Sequence, residues 1–309
     1  MSPQSTVHSP QQELHRKLAQ VQTILAGFQR VIVGFSGGVD SSVLAALARH
    51  TLGRERVLTV TADSPSLAQA DREDACRLAR TLDLEHLVIS TAEVDHPAYQ
   101  ANSALRCYFC KQELFERLAR LARERAIPTI LYGAIGDDLR EERPGALAAS
   151  SYGVRAPLQE AGFSKLDVRE VARALGLPNW NRPQNACLSS RIPHGLEVTV
   201  EKLAQIERAE ALLVTLGFCQ VRVRHLGAHA RIEVGREEVA RFQDAAVRQE
   251  VAKQFAALGF QSVGVDRAGY RPGGADHSST DEILLTTADT DNSFESPTAL
   301  RLGCGATPV

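Results

Sequence analysis

Val31-Ile32-Val33-Gly34-Phe35-Ser36-Gly37-Gly38-Val39-Asp40-Ser41-Ser42 is the stretch that decides the fold. An apolar run of strand length leads into two glycines, and the apolar spacing from Val39 to His50 is helical. Strand, glycine turn and helix in this order suit an anion. Glycine lets backbone amides approach a ligand, serine hydroxyls donate hydrogen bonds, and the helix N-terminus adds partial positive charge. Ser36, Gly37, Gly38, Asp40, Ser41 and Ser42 are therefore candidate phosphate-binding residues, with Asp40 capping the helix or orienting the loop. The stretch lacks the Lys of G-x-x-x-x-G-K-[ST] and does not match G-x-G-x-x-G, so it reads neither as a site for transfer of a terminal phosphoryl group nor as a dinucleotide fingerprint.

Outward from this turn the pattern repeats. A helix is expected over 14–28 before it, and strands over 57–61, 87–90 and 129–132 alternate after it with helices over 67–82 and 111–125. Such alternation predicts an α/β domain with a parallel sheet covered on both faces, its ligand at the carboxyl ends of the strands. A long polar connection over 133–161 is followed by a helix over 165–175 and an irregular stretch over 179–195 that contains Cys187. Helices over 199–216 and 237–258 and strands over 221–225, 231–234 and 262–266 then predict a smaller C-terminal α+β domain. The expected boundaries are 13–195, 196–272 and a disordered tail at 273–309, where Gly, Ser, Thr and Asp show no sustained period.

Three hundred and nine residues with 44% hydrophobic and 23% charged content are in the soluble globular range. No apolar run approaches the roughly 20 residues of a membrane-spanning helix, and the first residues lack the pattern of a secretory signal, so a cytosolic location is expected. Residues 1–272 carry 34 basic against 31 acidic side chains, a charge of +3 with no basic tract. That balance fits local anion sites and gives no reason to expect a nucleic-acid partner. Of six cysteines only Cys107 and Cys110 stand close together. In a reducing compartment such a pair points to metal or redox chemistry rather than a structural staple. With a distant third cysteine it fits an iron–sulfur site, a zinc site completed by a histidine, or unrelated buried thiols.

The Ser-Gly-Gly-x-Asp-Ser signature after a strand resembles that of the PP-loop ATP pyrophosphatases, which cleave ATP between its α and β phosphates and adenylate a carboxylate or carbonyl. Further segments are Arg143-Pro144-Gly145, Gly153-Val154-Arg155-Ala156-Pro157-Leu158, Ser164-Lys165 with Val168-Arg169, and Ala186-Cys187-Leu188-Ser189-Ser190-Arg191-Ile192-Pro193-His194-Gly195. Val221-Arg222-Val223-Arg224-His225, Ala230-Arg231-Ile232-Glu233 and 266–271 follow. Together, over about residues 13–272, these resemble the LarE family of ATP-dependent sulfur transferases. The resemblance implies ATP and Mg²⁺ as cofactors. It implies, as substrate, pyridinium-3,5-biscarboxylic acid mononucleotide, whose carboxylates become thiocarboxylates on the way to a nickel-pincer cofactor.

On this resemblance Cys187, Ser190 and Arg191 are the catalytic candidates, and Arg222 and Arg224, alternating on one strand face, would clamp the substrate phosphate. Cys107, Cys110 and Cys187 would hold a [4Fe-4S] cluster, as in one branch of the family; in the other a lone cysteine is sacrificed and becomes dehydroalanine. A cysteine desulfurase or sulfide donor and a homo-oligomer are also implied. Asp138, Arg143 and Lys165 are candidates for substrate contact or for organising the adenylate, and Glu233 and Asp266 for metal or substrate contact or a surface salt bridge. His194 and His225 read as structural. Two rivals remain: a PP-loop thiolase acting on tRNA or another carbonyl, and a non-catalytic ATP and metal sensor.

Overall fold

The structure, a computed structural model, describes residues 9–139, 144–183, 186–271 and 281–285. The chain divides into two compact units, Met1–Tyr99 with Ala104–Ala186, and Gln100–Ser103 with Cys187–Val309. In chain order the first unit is built from α1 (Pro10–Ala26), β1 (Val31–Gly34), α2 (Val39–Leu52), β2 (Val57–Asp63), α3 (Gln69–Thr81) and β3 (Glu85–Ser90). There follow α4 (Pro97–Gln100), α5 (Arg106–Glu124), β4 (Thr129–Leu131), α6 (Pro144–Ser151), α7 (Pro157–Glu160) and α8 (Lys165–Ala174).

The four strands form an all-parallel sheet in the order β3-β2-β1-β4, with Val31 in register with both Val57 and Thr129. Strand β1 is an unbroken apolar run because both its faces are covered. Val31 and Val33 pack with Leu14, Leu25, Val43, Leu47 and Val168 on one side. Ile32 packs with Leu58, Val60, Phe115, Leu118 and Ile130 on the other. Because β2 and β4 flank β1 on opposite sides, the strand order reverses there, and the crevice at its carboxyl end is where a parallel sheet receives a ligand. The glycine turn lies at that end.

Helix α5 starts at Arg106, ahead of the expected 111, so Cys107 and Cys110 sit in its first turn. Leu105, the residue before it, offers no capping side chain, which is why the sequence carries no start signal.

The second unit contains α9 (Val200–Thr215), β5 (Val221–Leu226), β6 (His229–Val234), α10 (Ala245–Ala257), β7 (Ser262–Asp266) and β8 (Glu282–Leu285). Its sheet runs β5-β6-β7-β8, antiparallel, parallel, antiparallel. Two expectations are corrected here. The helix over 237–258 is broken: a 3₁₀ segment ends at Gln243, and Asp244 then caps α10 by accepting from the Ala246 amide at 2.8 Å. Part of the tail is ordered, since the apolar run Ile283-Leu284-Leu285 pairs with β7; the rest of 273–309 apart from Asp281 lies outside the described residues. The compact units divide between Ala186 and Cys187.

Asn102 explains why Gln100–Ser103 counts with the second unit. Fully buried, it donates through Nδ2 to the carbonyls of Pro193 and Leu196, both at 2.8 Å, and of Ile192 at 3.2 Å. Its own carbonyl accepts from the Gly195 amide, and Gln100 O accepts from the Val198 amide. Residues 187–198 are thereby tied to a four-residue segment far back in the chain. Among the described residues no helix is long and apolar enough to cross a membrane.

Asn102→Ala leaves these carbonyls without their donor and is expected to destabilise the second unit by about 1–3 kcal/mol. A urea melt followed by a probe in that unit checks this; an unchanged midpoint would remove Asn102 from the account.

Candidate functional site

The loop of the first unit is wired by its own hydroxyls. Ser42 Oγ donates to Gly38 O at 2.8 Å and Ser41 Oγ donates to the same carbonyl at 3.0 Å. Since that uses the only hydroxyl proton of Ser41, Ser36 is the donor in the 3.2 Å pair between Ser36 Oγ and Ser41 Oγ. Ser36 Oγ in turn accepts from the Gly38 amide at 3.3 Å. The network holds the carbonyl of Gly38, the N-cap of α2, toward the helix, so the helix's first amides face the loop.

Two glycines make the arrangement possible. Gly37 has φ +71°, and a Cβ on it would come 3.0 Å from Ala75 Cα of α3. At Gly133, just past β4, a Cβ would stand 2.8 Å from the amide nitrogen of Ser41.

Asp40 does not cap the helix. Both its carboxylate oxygens lie 2.8 Å from Lys165 Nζ, and Asp137 accepts from the Lys165 amide at 2.8 Å. Both partners of the Asp40 pair are only partly exposed, Asp40 at 28% and Lys165 at 30%. Asn179, which sequence reasoning missed, closes the loop from the other side: Nδ2 donates to Gly37 O at 2.9 Å and to Ser42 Oγ at 3.0 Å. Its Oδ1 is buried without a partner among the described residues. Asn179 stands at the start of an irregular stretch, and nothing local marks it. Arg143 lies outside the described residues, and Asp138 falls in a short 3₁₀ turn, Gly136–Leu139.

In the second unit Cys187 caps a 3₁₀ turn, Leu188–Arg191. Arg191, 2% exposed, donates to the Cys187 carbonyl at 2.9 Å and grips Glu210 of α9 with both faces of its fork, at 2.9 and 3.1 Å. Glu210, also missed from sequence, accepts as well from the Val223 amide at 3.0 Å, so it fixes the turn to β5. Ser190 lies between two arginines, its hydroxyl accepting from Arg191 at 3.2 Å and its carbonyl from Arg224 at 3.1 Å.

Arg224 is 4% exposed and pairs with buried Glu233 at 2.8 Å, while Arg231 approaches the same carboxylate at 3.4 Å. This is not a solvated strand face. Arg222 is in register with Glu233, and its guanidinium stands 5.3 Å from the Tyr270 ring centroid. Burial, then the charge of Arg191, pull its pKa below the usual arginine range, with Glu210 opposing. Among these residues four arginines (Arg191, Arg222, Arg224, Arg231) face two glutamates (Glu210, Glu233), an excess of two positive charges. Asp266 is buried at the end of β7 and accepts from the Ala268 amide and from Arg271, a turn-holding role.

Cys107 is exposed, and Cys110 and Cys187 are half-buried; all three are outside any disulfide. Cys107 and Cys110, three residues apart in the first turn of α5, share a helix face and suit two thiolate ligands. Cys187 belongs to the other unit. Among the described residues no group of three or more His, Cys, Asp or Glu is assembled to hold a metal ion.

A parallel sheet with a Ser-Gly-Gly-x-Asp-Ser turn at its switch point defines a PP-loop ATP pyrophosphatase, a class that binds ATP with Mg²⁺, and the NAD synthase family matches residues 13–133. The chain is 35% identical over 255 residues to pyridinium-3,5-bisthiocarboxylic acid mononucleotide synthase of Lactiplantibacillus plantarum, covering 82% of this chain and 91% of that protein. It belongs to that enzyme's family, the LarE family of ATP-dependent sulfurtransferases. It is also 44% identical over 238 residues to an uncharacterised protein of Synechocystis, covering 77% of this chain and 88% of the relative. Argininosuccinate synthase of Natronomonas pharaonis is 30% identical over 155 residues, 46% of this chain and 38% of that protein.

Asn179→Ala removes both donors that hold the loop, and its KM for ATP is expected to rise about tenfold, with kcat changing less than about threefold. Steady-state pyrophosphate release checks this; an unchanged KM would show that the loop keeps its shape without the clamp.

Proposed function

We propose that the chain uses Mg-ATP to adenylate the carboxylates of pyridinium-3,5-biscarboxylic acid mononucleotide and replaces them with thiocarboxylates. The loop around Ser36, Gly37, Gly38, Ser41 and Ser42 holds the ATP phosphates, and Asp40 exchanges Lys165 for the magnesium ion that accompanies them. Lys165, once released, is an ammonium beside the departing pyrophosphate. A substrate carboxylate oxygen attacks the α phosphorus, the bond to the bridging oxygen breaks, and pyrophosphate leaves with that electron pair.

The observation that carries the substrate assignment is the excess of two positive charges among Arg191, Arg222, Arg224, Arg231, Glu210 and Glu233, three of whose arginines are buried. A phosphate monoester carries close to two negative charges at neutral pH and fits planar guanidinium forks. Arg222 is the best-placed anchor: it shares a strand face with Arg224, its guanidinium is half-buried, and an anion relieves the cost of that partial burial. Ser190 and Arg191 orient Cys187 by holding its turn and its carbonyl.

Cys107, Cys110 and Cys187 are the thiolates that would hold a [4Fe-4S] cluster. Such a cluster would supply soft iron sites able to bind sulfide from an external donor. The helical spacing of the first two supports this reading over a sacrificial cysteine, which needs Cys187 alone.

Anaerobically purified protein is expected to hold about four iron and four acid-labile sulfide per chain, and Cys107→Ala to lose both. With ATP, Mg²⁺, the dicarboxylate and sulfide, the wild type is expected to make more than one thiocarboxylate per chain, with AMP and pyrophosphate as co-products. Thiocarboxylate at no more than one per chain, with Cys187 converted to dehydroalanine by mass spectrometry, would replace the cluster with a sacrificial thiol. Arg222→Gln is expected to raise KM for the mononucleotide at least about tenfold and leave KM for ATP unchanged.

A further inference from the structure

Alongside the first turn of α5, wholly within the first unit, lies a cavity of about 400 Å³. Its lining includes Glu93, Asp95, His96, Phe109, Glu113 and Glu116. Glu93 is only 4% exposed. Its Oε1 accepts from Ser64 Oγ at 2.5 Å and from Ser66 Oγ at 2.7 Å, while among the described residues Oε2 accepts nothing and no cationic side chain pairs with the carboxylate. Two neutral donors do not replace the hydration of a carboxylate, so Glu93, which lines the cavity, is a favourable point for a cation there.

The other groups around the cavity do not supply the missing charge. Glu113 is already matched, accepting from Arg117 at 2.9 Å and from the Ala92 amide at 3.2 Å. His96 accepts at Nδ1 from the Ala98 amide, so that nitrogen carries no proton. Asp95 and Glu116 are exposed and add negative potential at the rim. The His96 ring stacks on Phe109 with centroids 5.1 Å apart, which gives the cavity a flat aromatic wall. No three ligating side chains are assembled for a metal ion among the described residues, so a hydrogen-bonding organic cation is the better match to this lining. An ammonium group satisfies a carboxylate and lies favourably over an aromatic face.

We propose that this cavity binds a small primary ammonium compound, its charge against Glu93 and its carbon chain against Phe109 and Pro97. The site does not depend on the sulfur chemistry set out above. Phe109 nevertheless lies between Cys107 and Cys110, so the occupant is a neighbour of the cysteine pair.

Calorimetric and saturation-transfer titrations of the full chain with n-butylammonium and with 1-butanol, its neutral counterpart, test the assignment. Butylammonium is expected to bind at one site, more weakly as salt is raised, and butanol not at all. Glu93→Gln keeps the serine contacts and is expected to weaken butylammonium at least about tenfold; Glu116→Gln, at the rim, is expected to change it less than about threefold. Absence of butylammonium binding, equal binding of butanol, or equal losses in the two variants would each overturn the proposal. The two-ligand comparison on the wild type stands even if Glu93→Gln folds poorly.

Discussion

Two backbones must pass one another at contact distance for this protein to offer a helix N-terminus to a nucleotide. The chain leaving β4 at Gly133 runs so close to Ser41 that any Cβ would overlap its amide nitrogen, and the turn at Gly37 lies against the backbone of α3. A methyl group at Gly133 would press on α2 at Ser41 and one at Gly37 on α3 at Ala75, and either would disturb the amides and hydroxyls of the loop. The hydroxyl network, the Asn179 clamp and the pairing of Asp40 with Lys165 all presuppose that approach. It is steric rather than attractive, so no strengthening of a contact elsewhere substitutes for it.

The two units handle charge in different ways. The first presents donors that carry little net charge: amides at a helix start, hydroxyls, and a lysine neutralised by an aspartate. The second gathers full charges with little solvent, four guanidinium groups, three of them buried, against two carboxylates, and leaves the sum positive. A nucleotide whose own metal ion offsets much of its charge suits the former surface. A phosphate arriving without one suits the latter.

The sheet and the loop were legible in the sequence because both are local. An apolar strand, two glycines and a helical period lie within twenty residues, and the alternation that follows admits few topologies. What stayed hidden is non-local. Asn179 acts on Gly37 and Ser42, Glu210 on Arg191 and Val223, and Asn102 on a turn some ninety residues later. A polar residue in an irregular stretch gives no sign of which distant carbonyl it will meet. The start of α5 was missed for a different reason, the absence of a capping side chain, and β8 because a four-residue strand inside a polar segment has too short a period to register.

The placement of Gln100–Ser103 makes the chain cross between units three times rather than once. A protein whose halves meet at a single linker can exchange, duplicate or lose one half with the other intact, whereas here any cut that separates residues 187–309 strands Asn102 in the wrong piece. A truncation of this chain that keeps the second unit whole therefore has to carry Gln100–Ser103 with it.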